Sequence, residues 1–115
     1  MPNLTSFLKP LALIAALGLS DAAAAQSTVS LSLPQARQLA ANLLFDGQPA
    51  ASLEIADGLI AANADDRTAL IIRAGALRAL QRPTEARRAA ARAYRLSDTP
   101  LERYEAARLA AVANA

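Results

Sequence analysis

Apolar residues recur at steps of three and four positions along most of the chain, which is the spacing of one face of a helix. The first run comprises Ala36, Leu39, Ala40, Leu43 and Leu44. Comparable runs lie within residues 53–60, 70–80, 86–93 and 101–115. The pattern predicts a helix for each run, and we therefore expect an all-α fold.

Short polar breaks separate these predicted helices. In the first break, Gly47 can adopt the left-handed conformation that ends a helix, and Pro49 can occupy the first turn of the next one. The other breaks are residues 63–66, 81–83 and 97–100. Helices of about 13 residues joined by such short turns favour antiparallel packing between neighbours. We predict successive helical hairpins, preceded by a flexible segment at residues 26–33.

The helical runs repeat with a period of 34 residues. The matching pairs are Ala40 with Ala74, Leu43 with Leu77, Pro49 with Pro83, and Ala56 with Ala90. This is the period of the tetratricopeptide (TPR) helical hairpin. The alternative is an Ala/Leu-rich helical bundle with coincidental spacing, because an alanine-rich chain often matches itself.

The register of residues 33–115 resembles that of the TPR family. In this register the first repeat spans about 33–66, the second about 67–100, and a partial third about 101–115. The positions where the family prefers packing residues or a turn glycine hold Leu39, Ala40, Leu43, Gly47, Ala56 and Leu59, and then Leu70, Ala74, Leu77, Ala86, Ala90 and Ala93. The chain departs from the family at Ser52, Arg73 and Gln81. The resemblance implies a short TPR-like solenoid of antiparallel helical hairpins that holds a protein partner.

Residues 1–25 have the composition of a signal peptide. A basic residue precedes an apolar run at residues 11–19, and a stretch of small residues then ends at Ala25. We predict cleavage between Ala25 and Gln26. The run is about half the roughly 20 residues that a membrane-spanning helix needs, and an uncleaved anchor is the alternative. We expect the mature helical domain, residues 34–115, to act in the periplasm.

A looser resemblance concerns the Arg- and Ala-rich stretches at residues 91–96 and 102–110. Together with the signs of export, these stretches look like the periplasmic N-terminal part of surface lipoprotein assembly modifier proteins. The resemblance covers only the helical residues. It implies a role in outer-membrane or surface lipoprotein assembly.

The predicted solenoid has a concave groove formed mainly by the first helix of each hairpin. Its residues are Arg37, Ala41, Leu44, Phe45, Thr68, Ile71, Ile72, Gly75 and Arg78. Most of them are apolar, so the groove is predicted to accept an amphipathic helix or an apolar peptide. Alternatively, Leu44, Ile71 and Ile72 pack on neighbouring repeats.

Charge is distributed unevenly along the mature sequence. Residues 26–66 are acidic, whereas residues 67–95 hold many arginines and one carboxylate, Glu85. Arg88, Arg92 and Arg95 follow helical spacing and predict a basic stripe for an acidic peptide, a lipid headgroup or nucleic acid. The alternative is a solvated outer face, or one that pairs with the acidic first hairpin or with another subunit. Export and scarce aromatic residues argue against nucleic acid.

The sequence offers little for catalysis. It contains no Cys and no His, which removes thiol nucleophiles, imidazole bases and the usual zinc ligands. Asp65 and Asp66 lie in a predicted turn, where helix capping is their expected role. The sequence also lacks a Gly-rich phosphate loop and metal-ligand spacing. We expect no enzyme activity, no cofactor and no bound metal.

These features predict an exported, non-catalytic scaffold that binds a protein or peptide. The second possibility is a structural module that associates with itself or belongs to a larger envelope protein, and the third is a subunit of an exported enzyme. The third repeat stops after one helix, so we expect further repeats downstream, or a partner or second copy that covers Leu109 and Val112. We expect no nucleic acid partner, and membrane contact only through a larger partner or an uncleaved signal.

Overall fold

A computed structural model describes residues 30–114, which form helices joined by short connections. The helices are α1 (Leu33–Phe45), α2 (Pro49–Ala62), α3 (Arg67–Ala79), α4 (Pro83–Arg95) and α5 (Pro100–Asn114). Residues 30–114 contain no strand, so the prediction of an all-α fold is confirmed. The connections lie at the polar breaks that the sequence predicted.

The helices stack as successive antiparallel hairpins. Each helix packs against the next one in sequence, and α3 also contacts both α1 and α5. Consequently α1, α3 and α5 lie side by side on one face, while α2 and α4 lie behind them. The assembly measures 43 × 30 × 19 Å along its principal axes. This arrangement is a short solenoid of helical hairpins, as the sequence predicted.

The α1–α2 and α3–α4 turns have the same backbone conformation. Gly47 and Gln81 both adopt left-handed geometry, with φ of 79° and 60°. In each turn the next amide donates to a carbonyl five positions back, Gln48 to Leu43 and Arg82 to Leu77, both at 2.8 Å. The period of 34 residues in the sequence therefore corresponds to a repeated backbone structure.

Side-chain caps fix the starts of α1 and α3. Ser32 Oγ accepts a hydrogen bond from the Gln35 amide, while Gln35 Oε1 accepts one from the Ser32 amide, which together form a capping box. Asp66 Oδ1 accepts from the Ala69 amide at 3.0 Å. Asp66 Oδ2 also accepts from Arg37 Nε at 2.9 Å. The start of α3 is thereby tied to the side of α1.

Small side chains fill much of the core between the helices. Ala36, Ala40, Ala56, Ala90 and Ala93 have no exposed surface. Because these side chains are short, the helix backbones approach closely while the interior stays densely packed. The largest fully buried side chains are Ile55, Leu59 and Leu77. Leu39 and Leu43, which the repeat register assigns to packing, are half-buried against this core.

The predicted signal peptide, residues 1–25, and its cleavage position between Ala25 and Gln26 lie outside the described residues. Residues 26–29 of the expected flexible segment lie outside them as well, while residues 30–32 lead irregularly into α1. Within residues 30–114, no helix has both the length and the apolar character required to cross a bilayer.

Candidate functional site

A cavity of about 410 Å³ lies on the face formed by α1, α3 and α5. Its lining residues are Ala41, Leu44 and Phe45 from α1, Ile71, Ile72, Gly75, Arg78 and Ala79 from α3, and Glu105, Arg108 and Leu109 from α5. Most of them are apolar, and the charged ones are exposed. We call this cavity the groove: an apolar surface bordered by exposed charges.

The groove brings together most of the residues that the sequence assigned to it. Of the predicted set, only Arg37 and Thr68 do not line it. Arg37 Nε is bound to Asp66 at 2.9 Å, and Thr68 is exposed in the first turn of α3. Both residues lie toward the N-terminal ends of their helices, whereas the groove follows the middle and C-terminal parts. Arg37 therefore holds two helices together outside the groove.

Sequence reasoning missed the part of the groove that α5 contributes. Leu109 lies 34 positions after Gly75, which itself lies 34 positions after Ala41. Glu105 follows Ile71 by the same interval. The repeat period, continued into the third repeat, therefore points to Glu105 and Leu109, two of the three α5 residues that line the groove.

Gly75 allows α1 and α3 to approach closely beneath the groove. A Cβ atom at Gly75 would lie 2.9 Å from Leu44 Cδ2, which is closer than carbon atoms normally pack. Leu44 is half-buried and packs against two parts of the core, and Ile72 is only 6% exposed. These side chains thus pack on neighbouring helices and line the groove at the same time, so the two interpretations of them are compatible.

Phe45 is the large apolar residue with the greatest exposure among the described residues. Phe45 is the last residue of α1 and lies at the side of the groove. Solvent has access to 90% of its surface. Leaving an aromatic ring in water forgoes about 1.5–3 kcal/mol that burial would contribute. An exposed aromatic beside an apolar cavity is typical of a surface that contacts another molecule.

Arg67 fixes α5 against the start of α3. Its Nε donates to Ser97 Oγ at 3.1 Å, and its Nη2 donates to the Glu102 carbonyl at 2.7 Å. The same Nη2 donates to Glu105 Oε1 at 3.0 Å. These contacts orient Glu105 at the border of the groove and partly neutralise its charge.

Two other charges at the groove remain without such partners. Within residues 30–114, no carboxylate lies within ion-pair distance of Arg78 or Arg108. Both side chains are exposed. Because Glu105 is paired with Arg67, the border of the groove carries a net positive charge.

The three arginines of the predicted basic stripe on α4 differ in their contacts. Arg92 Nη2 donates to Asp65 Oδ1 at 2.7 Å, and Arg92 Nε donates to the Ala64 carbonyl at 3.1 Å. Arg88 and Arg95 are exposed, and neither forms an ion pair within the described part of the chain. Arg92 therefore pairs with the acidic first hairpin, and the three residues do not form a uniform free cationic surface.

Polar side chains elsewhere in residues 30–114 do not mark a second site. No group of three or more acidic side chains in that range is arranged to hold a metal ion. Every buried side-chain nitrogen and oxygen there has a hydrogen-bond partner. Among the described residues, the groove is therefore the candidate site.

The comparisons with known proteins do not assign a function to these surfaces. No protein-family model matches the chain, and neither curated proteins nor solved structures give a significant match. The geometry of the groove is therefore the basis for a functional proposal.

Proposed function

We propose that this chain is a non-catalytic interaction module of the TPR type, which binds a protein segment in the groove. The observation that carries the proposal is Phe45, 90% exposed beside an apolar cavity of about 410 Å³. A cavity of this size accepts a few apolar side chains, and the groove extends across three parallel-stacked helices. An amphipathic helix that presents apolar residues at three- and four-residue steps fits such a surface.

The TPR type is supported by the agreement between sequence period and backbone geometry. The matches in sequence lie 34 residues apart, and the turns at Gly47 and Gln81 share left-handed geometry at that same spacing. A coincidental period in an alanine-rich bundle gives no reason for equivalent turns. This architecture supports an interaction role, because stacked hairpins expose a continuous concave surface.

We also propose that the module is exported and acts in the periplasm, because residues 1–25 have the composition of a signal peptide. A role in outer-membrane or surface lipoprotein assembly is the more specific form of this proposal. It is motivated by the Arg- and Ala-rich stretches at residues 91–96 and 102–110.

The binding proposal is tested with a fluorescein-labelled amphipathic helical peptide that carries leucines along one face. A peptide of the same composition in scrambled order serves as the control ligand. Fluorescence anisotropy is expected to show saturable binding of the amphipathic peptide and much weaker binding of the scrambled one. Equal binding of the two peptides, or none, would overturn the proposal.

A pair of variants locates the binding site. Phe45→Ala is expected to raise the dissociation constant about tenfold, since truncating an aromatic anchor at an interface commonly costs more than 1 kcal/mol. Tyr94→Ala is the matched control, because Tyr94 is 46% exposed on α4 and does not line the groove. Circular dichroism should show that both variants remain folded. An equal loss of affinity in both variants would exclude the groove as the binding site.

A further inference from the structure

The outer face of α5 is more apolar than a solvated helix face requires. It comprises Leu101, Tyr104, Arg108, Ala111 and Val112, which are all exposed. Leu101 is 76% exposed and Tyr104 is 65% exposed. The exposed face of α4 contrasts with it, because Arg88 and Arg95 are charged there. A helix with apolar residues on both faces is normally covered on both, so the outer face of α5 is a contact surface.

Glu105 and Arg108 are the exposed charged residues beside Leu101 and Tyr104 on this surface. A second shallow cavity, about 430 Å³, is lined by Leu101, Tyr104, Glu105 and Arg108 together with Arg67 and Glu102. The Glu105 side chain is 48% exposed and uses Oε1 for Arg67, which leaves Oε2 available to another donor. Arg108 is exposed and has no carboxylate partner within residues 30–114. The surface therefore offers one acceptor and one cation, three positions apart.

The positions of these residues along α5 make the surface self-complementary. In an antiparallel pair of α5 helices, residues equally distant from the twofold axis lie opposite each other. With the axis between positions 106 and 107, Glu105 lies opposite Arg108 of the second copy. Leu101 likewise lies opposite Val112 of the second copy. Each of these pairs occurs twice, because an interface on a twofold axis is isologous.

We propose that the outer face of α5 is the interface of a homodimer, in which two copies of this chain pair their α5 helices antiparallel. The two central Glu105–Arg108 pairs set the register, and the apolar pairs at either end exclude water from them. A parallel pairing would place Arg108 against Arg108 and is disfavoured by like-charge repulsion. The inference goes beyond binding in the groove and does not depend on it, although Glu105 and Arg108 border both surfaces.

The small size of the interface limits the expected strength of the dimer. The helix has 15 residues and is about 22 Å long. A contact through one such helix is smaller than the roughly 800 Å² per partner of a standard interface. We therefore expect a reversible dimer with a dissociation constant in the micromolar range, which dissociates on dilution.

Charge-reversal variants test this arrangement by sedimentation velocity of the full chain over a range of concentrations. In a dimer of Arg108→Glu chains, each Glu105 faces the new carboxylate of the other copy. In a dimer of Glu105→Arg chains, each Arg108 faces the new cation of the other copy. Each is expected to weaken dimerisation at least about tenfold. An equimolar mixture of the two variants is expected to restore it, because every Glu then faces an Arg in the mixed dimer.

Matched controls separate this result from general effects of charge or of folding. Arg88→Glu makes the same charge change on an exposed arginine of α4, and it should leave dimerisation unchanged. Glu105→Gln removes the negative charge that pairs with Arg67 without introducing a cation, and circular dichroism then reports what that loss does to folding. Leu101→Glu, at a 76% exposed position, should give a folded monomer.

Three outcomes would overturn the proposal. The unaltered chain could remain monomeric at every concentration, which would mean that no second copy covers this face. Arg88→Glu could weaken association as much as Arg108→Glu, which would indicate a nonspecific charge effect. The mixture of folded variants could associate no better than either variant alone, which would exclude the antiparallel register.

Discussion

Gly47 and Gln81 occupy equivalent positions in two successive hairpin turns, and both adopt left-handed backbone geometry, with φ of 79° and 60°. This geometry is free of steric cost for glycine, whereas other residues lose roughly 1–2 kcal/mol in it. A Cβ atom built at Gly47 would have no neighbour within 4 Å. The requirement for glycine is therefore conformational, and the second turn retains strain that the first avoids.

Replacing Gln81 with glycine is expected to stabilise the protein by about 1 kcal/mol, because the substitution removes this strain. The reverse change, Gly47→Ala, should destabilise the protein by a similar amount. Gln48→Gly serves as the control, since Gln48 has φ of −118° and gains nothing from glycine. Urea denaturation followed by circular dichroism measures all three. A loss of stability in Gln81→Gly would show that the glutamine side chain contributes more than its backbone costs.

The sequence predicted the helices and the α1 and α3 sides of the groove because those features depend on local signals. Gly47 and the prolines mark the turns, and the repeat period transfers positions from one hairpin to the next. The sequence allowed the basic stripe to pair with the acidic first hairpin, but it did not identify which residues form the long-range ion pairs. Arg37 with Asp66 and Arg92 with Asp65 meet only because hairpins stack, and that geometry is set by packing. An arginine assigned to a groove or stripe from its periodicity alone can therefore have a structural role instead.

Ser52 contributes a buried hydrogen bond between α1 and α2. Its hydroxyl donates to the Ala40 carbonyl at 2.7 Å, and its side chain is fully buried. Ser52→Ala is expected to cost about 1 kcal/mol, the usual net value of such a bond. Ser52→Val should cost more, about 1–3 kcal/mol, because it also adds volume to a packed interior. Chemical denaturation should rank the unaltered protein above Ser52→Ala and that variant above Ser52→Val; a more stable Ser52→Ala would contradict the ranking.

Asp66 combines a helix cap with an ion pair, and two substitutions separate these contributions. Asp66→Asn keeps an oxygen for the Ala69 amide but loses the charge that binds Arg37, and it should cost about 1 kcal/mol. Asp66→Ala loses both contacts at a site that is 5% exposed, so we expect about 2–3 kcal/mol. Asp65→Ala is the control, because its pair with Arg92 is exposed and should contribute less than about 1 kcal/mol. Equal effects of the three changes in denaturation experiments would refute this division.

Leu44 and Gly75 should show strong energetic coupling across the base of the groove. Alanine in place of Gly75 gains about 1 kcal/mol in helix propensity, but its Cβ would lie 2.9 Å from Leu44 Cδ2. We expect Gly75→Ala to be neutral or destabilising in the unaltered protein. In a Leu44→Ala background the clash is absent, and the same change should stabilise by about 1 kcal/mol. A double-mutant cycle measures the difference, and additive free energies would mean that Leu44 moves aside without cost.

Glu102 gives the stability of the protein a defined dependence on pH. The Asp98 amide donates to its carboxylate at 2.7 Å and holds the pKa of Glu102 below the ordinary value of 4.5, with Arg67 and Arg103 adding to this effect. A pKa lowered by folding stabilises the protein above pH 4.5, and that contribution is lost as the pH falls through the lowered folded value.

The melting temperature is therefore expected to fall when the pH is lowered from about 6 to about 3. Glu102→Gln should reduce this fall, because glutamine does not titrate. Glu85, whose pKa is lowered by its hydrogen bond with Arg82, should account for part of the remainder, so the double variant Glu85→Gln/Glu102→Gln should show the shallowest dependence. Thermal melts of the three proteins across this range measure the effect. If Glu102→Gln melts with the same pH dependence as the unaltered chain, the contact between Asp98 and Glu102 does not stabilise the start of α5 in solution.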